Sequence, residues 1–163
     1  MLKSRLLRSL SVISAIVLSL AFACQGGGPP DIRAERVLVV SYDSVGADLA
    51  WQWIDGGVTA SPDGLAGMAA NGLSAERMRM VDPTLTAVNH VTLATGGDAA
   101  ATGIVSNTYH LQGTPIRESV SGFTTSSNVE PLWVAARKKG LRVATLMWPG
   151  ADGAAPDRMG DFG

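Results

Sequence analysis

One cysteine and two histidines in 163 residues leave this chain short of the side chains that several kinds of site require. A lone thiol excludes a disulfide-stapled domain, and the small Cys and His complement excludes a zinc site built from a cysteine cluster or a histidine triad. Charge is scarce too: 17% of residues are Asp, Glu, Lys or Arg, and the net charge is −1. Lys3, Arg5 and Arg8 precede the first acidic residue, Asp31, so the rest of the chain carries ten basic against fourteen acidic side chains. A mildly acidic body does not grip nucleic acid by charge. A nucleotide loop is missing as well, because Gly96-Gly-Asp-Ala-Ala-Ala-Thr-Gly103 matches neither G-x-G-x-x-G nor a loop ending in GK[ST]. With 46% hydrophobic residues the chain is nonetheless too apolar to be disordered.

Much of that apolar content lies at the start. Residues 1–24 open with basic residues, continue as an apolar run from Leu10 to Phe22, and reach Cys24 through small residues. This is the layout of a secretory signal, and the run is short of the about 20 residues a membrane span needs. Ala21-Phe22-Ala23 suits ordinary cleavage. The cysteine directly after it resembles a bacterial lipoprotein signal, in which Cys24 is lipidated, although Ala21 stands where leucine is usual. The expectation is export across the bacterial inner membrane and a lipid anchor at the cell envelope, periplasmic or extracytoplasmic. Residues 25–35 then form a linker, with Gln25-Gly-Gly-Gly-Pro-Pro30 as a tether.

In the body, residues 36–163, Arg36 to Tyr42 is a β-branched run of the kind buried on both faces of a parallel sheet. The spacing predicts helices over 47–54, from Ser61-Pro62 to about Gly72, over 86–95, and over 131–139. Strands are predicted over 73–81 and 141–148, with a polar loop or small hairpin over 111–128. Alternating strands and helices imply an α/β fold with a mostly parallel sheet. The tail 149–163 shows little periodicity.

Open α/β sheets carry functional residues at the carboxyl ends of strands. Asp43 ends the first predicted strand, where a carboxylate suits a divalent metal or simply bonds its own turn. Thr86 stands at a helix start. It either caps the helix or presents a hydroxyl where free N–H groups and the helix dipole favour a phosphoryl group. As a nucleophile it would need a metal or base to take its proton. The Asn107 amide either donates to a developing oxyanion or closes a turn. His90 reads equally as a satisfied core histidine, and His110 has no evident partner. Trp51, Trp53, Trp133 and Trp148 read as packing, with Trp51 and Trp53 placed to line a mouth beside Asp43.

Taken in order, RVLVVSYDSVGADL, PTLTAVNHVTLATG, TGIVSNTYH and EPLWVAARKKGLRVATLMWPG resemble the nucleotide pyrophosphatase/phosphodiesterase branch of the alkaline phosphatase superfamily, over about residues 36–150. That resemblance implies an alkaline-phosphatase-like fold and a centre of two divalent ions, zinc in that family. It makes Asp43 a metal ligand, Thr86 the nucleophile and a metal contact, and Asn107 the phosphoryl-oxygen donor. It also implies a small phosphodiester or nucleotide substrate, cleaved by in-line displacement through a phosphothreonine. The chain departs from the family pattern at Ser44, where glycine is usual, at Ala87-Val88, where a Phe-Pro pair shapes the substrate slot, and at Thr102, where histidine is common. The family's remaining ligands, three aspartates and three histidines, lie downstream of the Trp-Pro-Gly block. With both histidines already inside assigned blocks, the sequence is expected to be the N-terminal, incomplete part of such an enzyme and inactive alone.

Two alternatives stay open: a non-catalytic surface lipoprotein that keeps half of the fold as a binding module, and a phosphomonoesterase or phosphonate hydrolase of the same superfamily. A sulfatase is disfavoured, since no C/S-x-P-x-R motif is present. No protein partner is predicted.

Overall fold

The computed structural model describes residues 34–59 and 62–163. Cys24, the signal and most of the linker lie outside those residues, as does the expected cap Ser61. The chain divides into two units, Met1–Ser41 and Tyr42–Gly163. Within the first, residues 34–41 form no strand, and Val37, Leu38, Val39 and Val40 are exposed. None of the described helices is long and apolar enough to cross a membrane.

The second unit begins with a turn at Asp43-Ser44 and helix α1, Ala47–Asp55. Helix α1 closes where the Gly56 N–H donates to Gln52 O at 2.9 Å. Helix α2 spans Leu65–Asn71 and starts after Gly64, so Pro62 lies before the helix rather than at its first position. Helix α3, Thr86–Thr95, has the predicted bounds. It ends at Gly96, whose φ of 72° is the left-handed stop that favours glycine. A short α4, Ala99–Thr102, follows, with the Asp98 carboxylate accepting from the Ala101 N–H at 2.9 Å. Strands β1, Thr108–Tyr109, and β2, Val120–Ser121, pair antiparallel in the register Thr108↔Ser121 and Tyr109↔Val120. Helix α5, Leu132–Lys138, completes the set.

The core gathers round α3. Ala87 and Val91 pack with Ile104 and Tyr109, while Ala94 packs with Trp133, Val134, Ala151, Val143 and Trp148. Positions 87, 91 and 94 fall on one helical face, the i, i+4, i+7 spacing of a core stripe. Gly122 lets the hairpin approach this core, because a Cβ there would stand 2.2 Å from Ser106 O and 3.0 Å from the Ala87 Cβ.

The expected mostly parallel sheet does not form among the described residues. Residues 36–42, 73–81 and 141–148 hold no paired strand beyond one parallel bridge, Ala144↔Phe162, and the sheet present is the antiparallel hairpin. A β-branched run states a preference, whereas a strand exists only where a neighbour supplies ladder hydrogen bonds. The tail is better fixed than its composition suggests. Asp161 accepts from Arg137 Nε at 3.1 Å and from the Val143 N–H at 2.8 Å, and Trp133 Nε1 donates to Arg158 O at 2.7 Å.

Candidate active site

Leu85, with φ −111° and ψ 150°, occupies the N-cap of α3, and its side chain makes no cap hydrogen bond. Thr86 is therefore the first helical residue and not the cap. Its hydroxyl instead donates to Asp43 Oδ2 at 3.3 Å, across 43 residues of sequence. Asp43 is exposed and Thr86 half-buried, so the pair opens to solvent. The Ser44 backbone beside it has φ 61°, a left-handed conformation that few non-glycine residues adopt.

The next backbone N–H of the helix, that of Ala87, donates to Asn107 Oδ1 at 2.9 Å. First-turn N–H groups have no intrahelical acceptor, so Asn107 caps α3 from a distant loop. That bond also fixes the amide: an N–H can only be accepted by the oxygen, which leaves Asn107 Nδ2 as the donor end. Asn107 is held in turn from the hairpin, where the Gly122 N–H donates to Asn107 O at 2.9 Å. Thr86, Asp43 and Asn107 thus meet at one helix terminus, with Asn107 fixed by hydrogen bonds to α3 and the hairpin.

The two histidines are bound to backbone. His90, buried in α3, directs Nδ1 to Thr86 O at 2.8 Å. A carbonyl only accepts, so Nδ1 carries the proton. Trp148 donates through Nε1 to His90 O at 3.2 Å and meets the His90 ring edge-on at 5.4 Å. His110 Nδ1 lies 3.0 Å from Glu118 O in the hairpin. Trp51 Nε1 donates to Glu76 O at 2.9 Å. Ala87 and Val88 are fully buried.

Among the described residues no group of three or more His, Cys, Asp or Glu side chains is placed to hold a metal ion. Asp43 and Thr86 do fit two positions in such a shell. Two oxygens bound tetrahedrally at about 2.0–2.2 Å from one zinc stand roughly 3.3–3.6 Å apart, and these two stand 3.3 Å apart. Asn89 is the residue that sequence reasoning passed over. Its signal was its place beside His90, but its hydrogen bonds could not be read from the sequence.

The sequence pattern of the family described as type I phosphodiesterase / nucleotide pyrophosphatase matches residues 37–160. Venom phosphodiesterase 2 of Crotalus adamanteus is 36% identical over 85 residues, covering 50% of this chain and 10% of that protein. Ectonucleotide pyrophosphatase/phosphodiesterase family member 7 of Mus musculus is 25% identical over 148 residues, 87% of this chain and 32% of that protein. Bis(5'-adenosyl)-triphosphatase enpp4 of Xenopus laevis is 28% identical over 146 residues, 86% of this chain and 30% of that protein. The chain thus spans between a tenth and a third of the length of these relatives. No solved structure matches it.

Proposed function

The chain belongs to the type I phosphodiesterase / nucleotide pyrophosphatase family, and from that premise we propose that it carries the nucleophile half of a centre that hydrolyses phosphodiester or pyrophosphate bonds. The observation that carries this reading is the meeting of Thr86 Oγ1 and Asp43 Oδ2 at the N-terminus of α3, with Asn107 locked to the next N–H.

Thr86 Oγ1 bonds to phosphorus as the P–O bond to the departing alcohol or nucleotide breaks. The hydroxyl proton, held by Asp43 Oδ2 in the free chain, leaves with the departing alcohol. Water then cleaves the phosphothreonine and restores the hydroxyl. Asn107 Nδ2 and the Thr86 N–H are the donors that meet the phosphoryl oxygens, a role that a preorganised amide performs without reorganising. The positive end of α3 favours the same charge. Asp43 and Thr86 would hold a divalent ion, zinc in the two-ion reading, which would lower the hydroxyl pKa and neutralise phosphoryl charge.

In the full-length protein, Thr86→Ala lowers kcat/KM toward bis(p-nitrophenyl) phosphate by about 10,000-fold, and Asn107→Ala lowers it by about 100- to 1,000-fold. Retained turnover in Thr86→Ala overturns the nucleophile. The substrate is a small phosphodiester or nucleotide, in line with the names of the relatives. The enzyme works outside the inner membrane, anchored through a lipid on Cys24. Cys24→Ala should move the protein from the membrane to the soluble fraction, and unchanged partition overturns the anchor.

A further inference from the structure

Asn89 is nearly fully buried, at 5% exposure, and its carboxamide is spent entirely on one short stretch of chain. Its Oδ1 accepts from the Val81 N–H at 2.9 Å. Its Nδ2 lies 3.3 Å from Val81 O, 3.1 Å from Pro83 O and 3.2 Å from Leu85 O. The amide orientation is settled by Val81, whose N–H can meet only the oxygen. Asn89 pairs with both backbone groups of Val81, as a neighbouring strand would, and then gathers the carbonyls of Pro83 and Leu85. These bonds are half-buried, and polar groups screened from water cost free energy if left unsatisfied, so this one side chain ties Val81, Pro83 and Leu85 together.

That stretch leads directly into Thr86. Leu85, the N-cap, donates its own N–H to Pro83 O at 2.8 Å and accepts from the Asn89 N–H at 3.0 Å. Asn89 sits on α3 one turn beyond Thr86, so the helix grips its own approach. Building on the reading of Thr86 as nucleophile, we propose that Asn89 is a positioning residue, which sets the Thr86 hydroxyl against Asp43 and against the incoming phosphorus by fixing the 81–85 turn. None of its four hydrogen bonds reaches Thr86, Asp43 or Asn107, so it acts through Thr86 and not on the substrate. Displacing a reacting group by about 1 Å is enough to cost roughly 100-fold in rate.

The test uses the full-length protein carrying Asn89→Ala, with folded material isolated by gel filtration and turnover of bis(p-nitrophenyl) phosphate expressed per folded molecule. The expected result is a kcat about 100-fold lower with KM within about threefold of the parent. A lower Tm with unchanged kcat per folded molecule makes Asn89 merely structural and overturns the proposal, as does a raised KM with kcat intact. If the alanine variant is not recovered folded, Asn89→Ser, which keeps one hydroxyl in the gap, is judged by the same two outcomes. Thr86→Ala runs alongside. Its retained activity would defeat the nucleophile reading itself, whereas a dead Thr86→Ala beside an unimpaired Asn89→Ala defeats only the positioning role.

Discussion

Helix α3 buries six of its ten residues, while α1 and α2 bury none. Both regions are helical and both carry apolar side chains, so composition does not separate them. Partners do. Helix α3 lies between two clusters, one reached through the hairpin and one through α5 and the Trp148 block. In the front portion, residues 42–80, Leu49, Met68, Leu73, Met78 and Met80 stay exposed, whereas the packed body follows from residue 81. Regular structure in the front portion rests on local hydrogen bonds, and in the body on packing, which supplies most helical stability in proteins. The candidate site draws on both: Thr86 and Asn107 come from the packed body and Asp43 from the exposed front.

The contrast can be broken from either side. Gly122→Ala puts a methyl group against Ser106 O and Ala87 in the body, where backbone cannot yield cheaply. It should cost about 1–3 kcal/mol or more, read as a fall in the denaturation midpoint, and because Gly122 also holds Asn107 the loss should extend to activity. A change below about 0.5 kcal/mol would show that the body is not close-packed there. The smallest effect is expected in the front portion: Leu73→Ser, at a side chain with no burial, should move Tm by no more than about 3 °C. A larger fall would mean that this leucine is covered in solution, and the two regions would then differ less than their burial indicates.

Legibility did not follow that division, since α1, Ala47–Asp55 in the exposed front, lies within a residue of the predicted 47–54. The bounds of α3 came directly from the sequence because its apolar spacing, its Gly96 stop and its packing all agree. Helix α5, Leu132–Lys138, is one residue shorter at each end than the predicted 131–139. The strands failed, since Arg36–Tyr42 expresses only the preference of its side chains and a ladder depends on residues elsewhere. For the site, the order of the motifs selected Asp43, Thr86 and Asn107, and the structure brings them to one helix end. What spacing could not decide was whether Thr86 caps α3. Leu85 takes that position, and the threonine hydroxyl is thereby released to Asp43. The grip of Asn89 on residues 81–85 was equally invisible, because it runs from a side chain to backbone carbonyls that carry no sequence signature.

The hairpin has a practical consequence. Its two strands are joined by residues 110–119, most of them exposed, with Ile116 at 90%. Exposed loop tips of this kind accept cuts and insertions. A nick there would put Thr86 and Asn107 on one piece and Trp133, Trp148 and the tail on the other, with Ala94, Trp133, Val134 and Ala151 as the seam between them. The chain thus offers its own place for division into complementing halves, whose reassembly would report on the helix end where the chemistry is placed.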